Sequence, residues 1–161
     1  MILIRAALAA LVAVPVLAWA QVDDREALSG IKDIKIAFDL TEGSATPLLN
    51  RLNTIEETRQ SLIKQGVTPH FLIAIRGPAT RLVQTDLDKI KPEDRAVAEK
   101  IAARIAEMSK SPGIEGVEQC SVAIKTQGTK AENVVPGVKV IGNGWISLAA
   151  YQAKGYAYIS P

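Results

Sequence analysis

A chain of 161 residues with 48% hydrophobic and 22% charged residues and a net charge of +2 has the composition of one globular domain, neither disordered nor long enough for two comfortable ones. Its cations are scattered among nearly as many carboxylates, which argues against a phosphate-tracking stripe and a nucleic-acid partner. A single cysteine, Cys120, and a single histidine, His70, allow no intramolecular disulfide and fall short of the three or four protein ligands usual for zinc, so neither metal nor cofactor is expected.

In chain order, residues 1–20 resemble an export signal. Arg5 supplies a positive start, Ala6 to Ala20 is an apolar run of 15 residues, and Ala18-Trp19-Ala20 sets small residues at a cleavage site before Gln21. The run is shorter than the roughly 20 apolar residues of a membrane span, so a periplasmic protein without a stable membrane anchor is expected. No cysteine follows the cut to accept a lipid.

Residues 21–30 form a polar lead-in, and the domain spans 31–161. Ile34, Ile36 and Phe38 alternate at period two and predict a first strand within Ile31 to Leu40. Thr46-Pro47 provides a helix entry. Leu48, Leu52, Ile55 and Leu62 give that helix an apolar face, widened by Leu49 and Ile63, and Gly66 stops it. Phe71 to Ile75 is a continuous apolar run, the pattern of a strand buried on both faces. It ends at the turn Arg76-Gly77-Pro78, after which Arg81-Leu82-Val83 has no assignment. Pro92, Glu93 and Asp94 open a second helix whose inner face is Val97, Ile101, Ile105 and Met108.

The third strand is Val117 to Cys120, followed by a helical turn from Ser121 to Gln127. Val138 to Ile141 is the fourth strand. Gly142-Asn143-Gly144 leads into a helix with Trp145, Leu148 and Tyr151, and Tyr156 to Ile159 is the fifth strand. This alternation predicts an α/β fold: a three-layer α/β/α sandwich on a mostly parallel five-stranded sheet.

Cys120 is the candidate reactive residue. The thiolate form does sulfur chemistry, and a helix N-terminus favours it. The alternative is a small buried hydrophobe at a strand end. Arg76 and Asn143 also follow strands and therefore fall at the same sheet edge. There Arg76 would stabilise a thiolate, persulfide or oxyanion, and Asn143-Gly144 would offer backbone N–H groups; turn and cap residues are the plainer reading of both. His70, at the start of the second strand, falls at the opposite edge, where a structural role is expected.

Pro136 to Val140, Leu148, Tyr151-Gln152 and Gly155 to Ile159 together resemble the closing segment of DsrE/DsrF-like proteins of sulfur relay and intracellular sulfur oxidation. The resemblance implies a flavodoxin-like fold, assembly into a trimer or hexamer, and persulfide handling at a cysteine after the third strand, which Cys120 matches in position. Its implied role is that of a sulfane-sulfur carrier, at most a transferase, between donor and acceptor proteins. Export departs from the cytoplasmic relay members. An oligomeric binding or scaffold domain with a silent Cys120 is the alternative.

Overall fold

The computed structural model describes residues 23–161, so the proposed signal segment lies outside the described residues. Five parallel strands form one sheet: β1 (Asp33–Leu40), β2 (Thr68–Ile75), β3 (Ile114–Cys120), β4 (Lys139–Ile141) and β5 (Ala157–Ile159), in the spatial order β4-β3-β2-β1-β5. Four helices connect them: α1 (Ala45–Lys64), α2 (Arg95–Met108), α3 (Ser121–Thr126) and α4 (Gly144–Ala153). The sheet is parallel throughout, within a flavodoxin-like α/β/α layering.

Strand order decides which helix covers which face. From β1 the chain steps through β2 to β3 in one direction, and right-handed crossovers put α1 and α2 together on one side. The step from β4 to β5 runs back across the sheet, so α4 lies on the other side. The side chains follow this division. Ile36, Phe38, Leu40, Phe71, Ile73 and Ile75 form the large core with Leu48, Leu52, Ile101 and Ile105 of α1 and α2. Ala37, Leu72 and Ala74 point the opposite way and meet Leu148, Tyr151 and Tyr156. Full burial of side chains such as Phe71 and Ile73 is worth about 1.5–3 kcal/mol each, so the α1–α2 side carries most of the stabilisation. By the same alternation Glu118 and Cys120 share the α4 face, since Val117 belongs to the large core. Ser147 of α4 donates its hydroxyl to Glu118 across this contact.

Several local expectations need correction. Ser44 is the N-cap of α1, its carbonyl accepting from Leu48 N–H at 3.0 Å; Thr46 lies in the first turn and caps nothing. Ile63 is exposed rather than part of the inner face. Pro92 opens a 3₁₀ turn (Pro92–Asp94) and the α-helix proper starts at Arg95. The unassigned stretch after β2 is a 3₁₀ turn, Gly77–Arg81, followed by buried Leu82 and Val83. Arg59 breaks the expected polarity of α1: it is buried because Glu56 takes two of its N–H groups and Pro112 O a third.

Candidate functional site

Ligands of open α/β sheets collect outside the carboxyl ends of the strands. Three strand ends supply the pocket here. Cys120 closes β3 and precedes α3, Arg76 follows β2, and Asn143 and Gly144 join β4 to α4. Arg76, Cys120, Asn143 and Trp145 line one cavity of about 190 Å³, with Val122 and Thr126 of α3 forming another wall.

Asn143 caps α4 by accepting Trp145 N–H at 2.9 Å on its side-chain oxygen. The preceding amide, Gly144 N–H, donates to the Cys120 sulfur at 3.2 Å. One orphan donor of the helix start is therefore met by the cap and the next by the thiol. Cys120 itself is 5% exposed. Its sulfur has an aimed N–H, a partly apolar surround and a small cavity beside it, which suits a polarisable sulfur atom.

The guanidinium of Arg76 is not turned to the thiol. It grips Asp39 with two N–H groups, one at 2.8 Å and the other in a very short contact. Tyr158 donates its hydroxyl to the same carboxylate at 2.7 Å. The bond to Asp39 holds Arg76 above its ordinary pKa, and Asp39 also raises the Tyr158 phenol. Trp145 stacks outside, with Arg76 5.7 Å from its ring centroid. The site cation is thus matched by a carboxylate that is 2% exposed, leaving the pocket close to neutral.

Asp39 and Tyr158 are the members that sequence reasoning missed. The available signal was a carboxylate at the end of an otherwise buried strand, Ala37-Phe38-Asp39-Leu40, where charge is rare unless paired. His70 lies at the opposite edge and pairs with Glu115 at 2.7 Å. Among the described residues no three His, Cys, Asp or Glu side chains gather as a metal site would need.

No protein-family model matches the chain. An uncharacterized protein of Aquifex aeolicus (strain VF5) is 28% identical over 126 residues, 78% of this chain and 55% of the relative. The chain thus spans about half the length of that curated relative. Among solved structures, the protein of unknown function MTH1491 from Methanobacterium thermoautotrophicum superposes with a TM-score of 0.62 at 17% identity, covering 80% of this chain and 100% of its own. That likeness bears on the fold alone.

Proposed function

We propose that this protein is an exported DsrE-like sulfur carrier, in which Cys120 receives a sulfane sulfur as a persulfide and passes it to an acceptor thiol. The observation that carries the reading is the hydrogen bond from Gly144 N–H to the Cys120 sulfur beside a cavity at the carboxyl edge. The same amide can hold the inner sulfur of a persulfide, and the cavity leaves room for the outer one. Arg76, Asn143 and Gly144 build this surround rather than react. In this reading Arg76 fixes the wall through Asp39, and Asn143 sets the start of α4. Donor and acceptor proteins, a periplasmic location and a trimeric or hexameric assembly belong to the same proposal.

The experiment is sulfur loading followed by mass measurement. Incubation with polysulfide should add the mass of one or more sulfur atoms, removable by reductant and absent in Cys120→Ser. The 5% exposure of Cys120 favours the second reading, a scaffold domain with an inert cysteine. Iodoacetamide separates the two: a carrier is alkylated in the native state, whereas a core cysteine reacts only after denaturation.

A further inference from the structure

A second cavity, of about 240 Å³, opens on the far side of the 3₁₀ turn Gly77–Arg81 and is lined by Arg81, Lys89 and Lys91 together with one carboxylate, Asp94. Among the described residues none of these three cations makes an ion pair, and all three are exposed. Gly43 from the loop after β1 lies against the turn: a β-carbon there would stand 2.6 Å from Pro78 and 3.5 Å from the Arg81 guanidinium. The cavity therefore belongs to the same carboxyl edge as the cysteine pocket, with an uncompensated positive charge that the pocket around Cys120 lacks.

The 3₁₀ turn is the ridge between the two. Gly77 lines the cysteine cavity and Arg81 the basic one. At about 2 Å of rise per residue, these ends of the turn are roughly 8 Å apart. Each cavity alone is smaller than the roughly 300 Å³ at which small-molecule sites usually begin. A ligand that reaches both is of ordinary size. Its sulfur end meets a pocket whose only cation is engaged by Asp39, so any negative charge it carries must find its partner elsewhere, and the free cations lie one turn away.

We propose that Cys120 exchanges sulfane sulfur with an anionic low-molecular-weight thiol, which donates as its persulfide R–S–S–H and accepts as the free thiol, its sulfur placed beside Cys120 and its carboxylate or phosphate end placed on Arg81, Lys89 and Lys91. The inference rests on the sulfur-carrier reading of Cys120. In loading, the Cys120 thiolate attacks the outer sulfur of the R–S–S–H group. The new S–S bond replaces the old one, and R–S⁻ leaves with the electron pair and takes up a proton. The sulfane sulfur changes hands with no external oxidant or reductant. Unloading is the reverse step onto a free thiol of the same class.

The test compares two donors, glutathione persulfide, which is anionic, and the persulfide of 2-mercaptoethanol, which carries no charged group apart from its sulfur. Loading rates of Cys120 are followed by mass for the wild type and for the Arg81→Gln/Lys89→Gln/Lys91→Gln variant. The ratio of the two rates should fall about tenfold in the variant, within the range by which charge steering changes association rates. In the wild type, added salt should lower the same ratio, which keeps the inference testable if the triple variant folds poorly. A ratio that moves with neither substitution nor salt overturns the anionic-thiol site while leaving the carrier reading intact. Absence of loading from both donors, with Cys120 still open to iodoacetamide, overturns both.

Discussion

The side-chain stem of Arg76 occupies the space where a β-carbon on Gly144 would have to stand, and the Cys120 β-carbon closes that space from the other side at 3.2 Å. Gly144 is therefore glycine for want of room. Its backbone is not left-handed, so alanine would gain up to about 1 kcal/mol of helix propensity. The crowding opposes this, because Arg76 is tied to Asp39 and Cys120 is fixed in β3. Overpacking of a closed site costs about 1–3 kcal/mol, and it should win. Gly144→Ala is expected to be destabilised by about 1 kcal/mol or more in urea unfolding and to alkylate at Cys120 at an altered rate. A variant as stable as the wild type, with unchanged labelling, would show that Arg76 moves aside freely.

Asp39→Asn tests the other end of the same arrangement. The carboxylate is buried and accepts from Arg76 twice and from Tyr158 once. An amide removes the charge and sets its own NH₂ against one of these donors. Breaking a buried pair costs about 3–5 kcal/mol. Arg76 retains a route to solvent at 17% side-chain exposure, which places the expected loss near 3 kcal/mol, at the lower end of that range. A shift of under about 1 kcal/mol in chemical unfolding, the size of a surface pair, would mean the triad contributes no more than an exposed contact.

The sheet was legible because its signals are local. The run Phe71 to Ile75 and the alternation of Ile34, Ile36 and Phe38 each name a strand without reference to the rest of the chain. Strand ends then place Cys120, Arg76 and Asn143 at one edge by topology alone. What could not be read is what those side chains choose as partners. Arg76 turns to Asp39 because β1 and β2 pair in register, with Leu40 beside Ile75. Tyr158 reaches the same carboxylate because β5, 119 residues on, pairs with β1 on its free side. Arg81, Lys89 and Lys91 are similarly spread along a stretch with no periodicity, and only the 3₁₀ turns gather them.

Alkaline pH should weaken the fold through its tyrosines. All three, Tyr151, Tyr156 and Tyr158, lie above their ordinary pKa, the first two through burial and the third through its bond to Asp39. A raised phenol pKa means the folded state favours the neutral form. That contribution is complete below the unfolded value of about 10 and is lost as pH climbs through the higher folded values. Phenolate absorbance should thus appear at higher pH in the native protein than in denaturant. Tyr158→Phe should remove one step of the titration and part of the alkaline destabilisation. A native phenol that ionises at or below the denatured midpoint would contradict the packing of that residue.

Protein recovered from the envelope fraction is expected to begin at Gln21, the residue after the proposed export signal. N-terminal sequencing or intact mass decides this, and an intact Met1 on a protein recovered from the cytoplasm would remove the periplasmic part of the proposal.

The assembly prediction rests on α4. Trp145 and Ile146 are each 70% exposed, and Val122, which lines the cysteine cavity with Trp145, is also open to solvent. A large aromatic and two aliphatic side chains left in water beside a candidate site suit a subunit contact, where tryptophan is enriched. Light scattering is expected to show a trimer or hexamer. Ile146→Glu should shift it toward monomer, since a charge in the centre of an interface is desolvated without a partner. The monomer should lose little stability, because an exposed position usually changes it by no more than about 0.5 kcal/mol. Ile146 is the better test than Trp145, whose loss also removes the stacking on Arg76, worth about 0.5–1 kcal/mol, and so mixes assembly with the site. A wild type that stays monomeric at high concentration refutes the assembly, and an oligomer indifferent to Ile146→Glu moves the contact to another face.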